Sequence, residues 1–353
     1  MLNEGNQKLF SNVNILISGY FISTILSAIS TIFIINFLSV DSYALMNIAL
    51  ILPTIFILIG DFGLNSATTH FIASKKITNP KEVRNIAKIN IYIKIFIGFL
   101  YSLVLIINAG GIAKYIYNIN NSNMILLIWF GSIGVFSTLL FDSVNYAFIG
   151  LENMSAMRYS TISRKIIEAA VSIGLLLIGF GAIGPLIGLF LGPLIASLFG
   201  LIYLKRKLNT FYSSGMGLDW SFLLKMIKYG YPLSFVTLIV GIQPQIFTFL
   251  LIQLGNIKFV SFFNVAYASK KIIFILTQSI SFTFFPAFSR FNWEKIDDRN
   301  KLKSKYQFSI KIGSFLILPI TLLLIIFSRE IFPIIFGSKY IEKKIWKRFI
   351  PKY

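Results

Sequence analysis

Long apolar runs separated by short polar clusters repeat along the chain from Leu9 onward. Crossing about 30 Å of hydrocarbon at 1.5 Å per residue takes roughly 20 apolar residues. Nine stretches have that length, near residues 12–38, 43–61, 90–108, 124–149, 166–183, 185–204, 229–254, 259–287 and 309–328. They lack the polar alternation of roughly ten-residue outer-membrane barrel strands, so each predicts a helix. The first run, Leu9 to Val40, carries no charge and is not followed by a cleavage site and a polar mature chain, so it predicts a retained helix rather than a signal peptide.

Composition agrees with the pattern. The 353 residues are 56% hydrophobic and 13% charged, against roughly 25% charged in a soluble domain. A membrane protein follows. There is no cysteine and one histidine, which removes disulfides, thiolate nucleophiles and clustered imidazole ligands; no metal or other cofactor is expected. The net charge of +20 lies mainly in alternate loops. One set holds Lys8; Lys75, Lys76, Lys81, Arg84 and Lys88; Arg158, Arg164 and Lys165; Lys205, Arg206, Lys207, Lys225 and Lys228; and the cluster from Arg290 to Lys311. The opposite loops, up to the ninth run, hold only Lys114 and Lys258. Because Lys and Arg collect on the cytoplasmic side, a multi-pass protein of the cytoplasmic membrane with a cytoplasmic N-terminus is expected. The charge then reflects topology and does not argue for nucleic acid.

The abrupt polar turn "IGDFGLNSATTHFIASKK", residues 59–76, is expected to be the second helix leaving the membrane on that side. Its texture resembles a family. In polysaccharide and lipid-linked oligosaccharide flippases of the multidrug/oligosaccharidyl-lipid/polysaccharide exporter superfamily, the second helix ends in an Asp, a Gly and small residues, matched here by Asp61, Gly63, Asn65 and Ala67. "FLSVDSYALMNIAL" looks like that family's turn into helix two, and "FPIIFGSKY" like the segment after helix nine. The resemblance implies an exporter-superfamily fold, a motif or gating role for Asp61, Gly63 and Asn65, and a lipid-linked anionic oligosaccharide as partner, alongside membrane lipids and glycan-assembly proteins.

Internal symmetry supplies a separate signal. Residues 35–49 align with 252–266 at an offset of 217, matching Asn47 with Asn264, and residues 107–117 align with 326–336 at an offset of 219. These matches predict an all-α polytopic protein of about nine helices in two lobes, six plus three. The division is a six-helix lobe over 1–208, a cytoplasmic linker over 209–228, a partial three-helix lobe over 229–340 and a basic tail over 341–353. Counterparts of helices four to six would end near residue 421, so a truncated product is expected, with a short form whose basic tail folds back on the membrane as the alternative.

Polar residues inside apolar runs are the candidate site, since a charge at the bilayer centre costs roughly 2.5 to 3.5 kcal/mol unless it faces a wet interior. Lys270 and Lys271 sit about twelve residues into the eighth run. Lys94, inside the third run, either joins them or snorkels to the surface. Asp142 and Asn145 are cavity groups or an interhelical hydrogen-bonded pair. Gln243 and Gln245 flank Pro244, and this proline, like Pro53 and Pro232, marks a kink that serves gating or packing. No GxxxxGK, HExxH or GxSxG motif is present, so no enzyme is expected. The chain is thus expected to flip a polyprenyl-diphosphate-linked oligosaccharide, with Lys270 or Lys271, and Lys94 where it joins them, drawing the diphosphate. A cation or drug exporter, for which Asp142 speaks, is the alternative, and a membrane polymerase or glycosyltransferase a more distant one.

Overall fold

A computed structural model describes residues 4–211, 220–254, 256–270, 273 and 296–340. Among the described residues every regular element is helical. α1 (Glu4–Phe37) crosses first, and Ser39 caps α2 (Val40–Ala49) by accepting the Ser42 amide. α3 (Ile51–Ile59) and α4 (Leu64–Thr78) continue α2 as one bent span over Val40–Lys76. The first bend follows from Pro53, which has no N–H to give the carbonyl one turn back. There the Tyr117 hydroxyl accepts from the Leu52 amide at 3.3 Å. The second bend is the turn Gly60–Gly63, where Phe62 and Gly63 both have positive φ (46° and 71°).

Pro80, at the first-turn position that needs no N–H, opens α5 (Pro80–Ile107). A short turn α6 (Ala109–Gly111) and a π-type coil (Ile112–Ile116) lead to α7 (Ser122–Gly150). α8 (Met154–Leu177) and α9 (Ile183–Phe211) complete a bundle centred on α7, which packs on α3, α4, α5, α8 and α9. α9 lies close on α8 because Gly184, Gly188 and Gly192 recur every four residues on one face. A Cβ at Gly188 would meet the Ser172 hydroxyl at 2.1 Å, and one at Gly192 the Arg164 carbonyl at 2.9 Å.

The remaining described helices are α10 (Trp220–Gln253), α11 (257–270), α12 (Ile296–Ile326) and α13 (Ser328–Phe336). Their ends repeat earlier ones. α2 begins at 40 and α11 at 257; α5 ends at 107 and α12 at 326; α6 begins at 109 and α13 at 328. Asn47 and Asn264 also behave alike, each amide donating one turn back, to Tyr43 O at 2.7 Å and Val260 O at 2.9 Å.

Seven helices among the described residues are long and apolar enough to cross a membrane. The expected span 166–183 falls in α8, which starts twelve residues earlier, at Met154, and carries Arg158, Arg164, Lys165 and Glu168. Those charges keep it outside the seven, and several of them point into the bundle. The expected span 259–287 is described only at 259–270 and 273, and the tail 341–353 lies outside the described residues. Large apolar side chains such as Phe96, Phe99, Phe199 and Ile239 are more than half exposed, as hydrocarbon-facing groups are.

The last turn of α4 meets the turn after α7 through Lys76, which pairs with Glu152 at 3.2 Å and donates to the Leu151 carbonyl at 3.1 Å. Arg84, Lys88 and Lys205 gather at the same end. At the opposite end the Asn36 amide donates to Ile335 O at 2.8 Å, Lys339 donates to the carbonyls of Asn36 and Leu38, and Asn118 donates to Gln253 at 3.3 Å. The α1–α9 bundle is therefore tied at that end to α10 and to the segment around α13.

Candidate functional site: a buried ion cluster behind the contact with α10

The turn between α3 and α4 does not release the chain to water, as the sequence pattern predicts for Asp61. It folds into the bundle. The Asp61 carbonyl accepts from Leu64 N at 2.8 Å, while its carboxylate accepts from Asn65 N at 3.3 Å and from Lys94 Nζ at 2.7 Å. Lys94 also donates to Gly60 O at 3.1 Å and is 0% exposed. It is the fifteenth residue of α5, about 20 Å from either helix end, so it does not snorkel. Its charge is matched by Asp61.

Further charges surround this pair. Asp142, half-buried on α7, lies in the fields of Arg164, Lys94 and Asp61. Arg164 stacks its guanidinium over the Phe141 ring at 4.6 Å and approaches Glu168 at 3.8 Å, and Lys165 pairs with Glu168 at 2.9 Å. Three cations thus face three carboxylates. Such a cluster is neutral as a whole and survives burial for that reason. The sequence pattern places Arg164 and Lys165 in an anchoring loop, whereas the structure sets both beside Glu168 within α8.

Asn145 donates to the Thr161 hydroxyl at 3.2 Å, so it joins α7 to α8 and does not pair with Asp142. Asn65 Oδ1, Thr68 Oγ1, Asn145 Oδ1 and both amide atoms of Asn90 are buried without partners. Asn90 stands one turn before Lys94 on the same face of α5, a spacing visible in the sequence. Lys165 and Glu168 also border a cavity of about 260 Å³ with Ser27, Ser30, Thr31 and Asn47.

Gly63 carries the ion-held turn to α10. A Cβ on Gly63 would lie 1.9 Å from Gly230 O, and one on Gly230 would lie 2.2 Å from Gly63 O. Backbone meets backbone here, which only glycine permits, and the positive φ of Gly63 adds a second requirement. Around this point His70 stacks on Tyr229 with centroids 4.3 Å apart, and Phe71 meets Phe222 edge-on at 5.1 Å.

The other candidates lie apart from the cluster. Within α10 Gln243 is exposed and Gln245 half-buried, and the Pro244 carbonyl accepts from Thr248 Oγ1 at 2.8 Å. Lys270 is exposed on α11, its ammonium 5.1 Å from the Tyr267 ring centre. Lys271 lies outside the described residues.

Comparisons give these features a family. A solved multidrug resistance MATE family transporter of the MOP superfamily, in an inward-facing conformation, shares 15% identity at a TM-score of 0.68 over 90% of this chain and 75% of that one. An outward-facing structure gives 17% identity and a TM-score of 0.63, over 94% of this chain and 76% of that one. A MOP superfamily transporter from Pyrococcus furiosus, with a binding pocket described as of reverse polarity, gives 15% and 0.60, over 93% of this chain and 75% of that one. No curated protein matches. At these identities the structures establish the fold. The family model described as "Polysaccharide biosynthesis protein" matches residues 34–344. This multi-pass membrane chain, with the fold of MOP superfamily transporters, belongs to the polysaccharide biosynthesis protein family.

Proposed function

We propose that the protein is a flippase that carries a polyprenyl-diphosphate-linked oligosaccharide from the cytoplasmic to the outer leaflet by alternating access. The basic end faces the cytoplasm, a six-helix lobe over 1–208 and a three-helix portion over 229–340 flank the path, and residues 209–228 link them. Membership in a polysaccharide family supports the glycan, and the fold supports transport rather than catalysis. The observation that carries the substrate class is Lys270. Its exposed ammonium sits about 20 Å along α11, too deep for an anchoring residue at that helix's start and suited to a wet, anion-attracting path. Outward movement of an anion is downhill by about 2.3 kcal/mol per charge for each 100 mV of inside-negative potential.

The Gly63–Gly230 abutment supports the rocking motion. A seam of two backbones parts without dragging long side chains through each other. A second reading, a cation or drug exporter, is favoured by Asp142, a half-buried carboxylate inside the bundle. Changing Lys270 and Lys271 together to Ala is expected to abolish glycan export in a complementation assay while the protein stays in the membrane. Changing Lys75 and Lys76 to Ala leaves export near the wild-type level. Wild-type export by the Lys270 and Lys271 variant would remove the anionic substrate from the reading.

A further inference from the structure

α5 and α9 both pack on α7 and leave between them, at the basic end, a cavity of about 470 Å³. Its rim carries Arg84 and Lys88 from α5 and Lys205 from α9, and its floor includes Ile91, Ile95 and Leu201. The order along the two helices is what a lipid requires. α5 runs inward from the basic end, so its cations come first and its isoleucines lie deeper. α9 runs outward, so Leu201 is the deeper group and Lys205 the nearer one. Tyr92, 51% exposed, also lines the cavity, and beyond the floor the α5 stripe continues through Phe96 and Phe99, which are 67% and 62% exposed.

We propose that this cleft is a binding site for an anionic glycerophospholipid of the surrounding leaflet. Its phosphate sits among Arg84, Lys88 and Lys205 and one acyl chain runs along the apolar floor. Topological anchoring accounts for cations at this end of the protein. It does not account for the convergence of three of them, with Lys205 of α9 117 residues or more from the two on α5, on the mouth of one apolar cavity. A free phosphate would use the rim alone and leave the floor open. A zwitterionic lipid brings its own cation against the rim. Only an anionic headgroup with a tail complements both parts.

The test is native mass spectrometry of the purified full chain in detergent, with phosphatidylglycerol or phosphatidylcholine added at equal concentration. One phosphatidylglycerol per chain is expected to be retained saturably, and phosphatidylcholine is not. Lys88→Ala with Lys205→Ala is expected to weaken retention roughly 30-fold, from about 1 kcal/mol for each cation near a lipid surface. Leu201→Trp, which fills the floor and leaves every charge in place, weakens it as well, whereas Lys225→Ala, a change to an exposed cation elsewhere at this end, leaves it unchanged. Equal retention of the two lipids, wild-type retention by the Lys88 and Lys205 variant, or displacement of the lipid by inorganic phosphate would each overturn the proposal.

Discussion

Replacing Lys94 by methionine in the full chain is expected to cost about 3–5 kcal/mol of stability, the penalty for leaving one member of a buried ion pair alone. Methionine nearly matches the lysine stem in length, so packing is retained while the charge leaves. What remains is the Asp61 carboxylate, 19% exposed at its side chain and holding only the long bond from Asn65 N. The double variant Asp61→Asn with Lys94→Met is expected to recover most of the loss. Asparagine keeps an oxygen for the Asn65 amide, and neither position then carries an uncompensated charge. Thermal unfolding in detergent reads the difference directly. A Lys94→Met protein that melts with the wild type would show that the pair is not formed.

The second large effect is expected at Gly63. Alanine there must adopt a φ of 71°, which costs about 1–2 kcal/mol, and must also find room for a Cβ 1.9 Å from the Gly230 carbonyl oxygen. The turn is fixed from behind by Asp61 and Lys94, so α10 has to withdraw. His70 and Tyr229, stacked beside this point, report the withdrawal, and the absence of native cysteines makes cysteine pairs clean probes. In a His70→Cys/Tyr229→Cys background, cross-linking is expected to be efficient with Gly63 and to drop at least severalfold with Gly63→Ala, and export falls with it. Unchanged cross-linking would mean that the close approach is not made.

The helices were legible because their signal is length and apolarity, which the bilayer imposes directly. Seven of the expected spans correspond to helices that meet this criterion. α8 shows where the rule fails. Hydropathy treats a helix as if lipid surrounded it, but α8 turns Arg164, Lys165 and Glu168 toward its neighbours, and Asn153 starts it by accepting the Ala156 amide. Its true start therefore reads as a polar loop. α5 likewise begins at Pro80 rather than near residue 90, because it continues past the hydrocarbon to pack on α4.

The repeat offsets fell on helix ends because the same punctuation recurs. Ser39 and Asn256, 217 residues apart, each accept a backbone amide at a helix start. The ion cluster was not legible. Asp61 and Lys94 are 33 residues apart in sequence, and nothing in either segment says that the turn folds inward to meet α5. Read singly, Asp61 looks like a helix leaving the membrane and Lys94 like a snorkelling or substrate-facing group. Gly63 was visible as part of a motif, yet its partner Gly230 carries no signal of its own.

The central claim, that a lipid-linked oligosaccharide crosses the membrane through this protein, is tested most directly in proteoliposomes containing the purified chain and a defined polyprenyl-diphosphate oligosaccharide. A glycosidase added to one side reports the glycan that arrives there. The account predicts protein-dependent arrival, faster when the side from which the anion leaves is negative, and lost when Lys270 and Lys271 are both alanine. Transport of a cationic drug by the same vesicles, with no protein-dependent movement of the lipid-linked glycan, would contradict it.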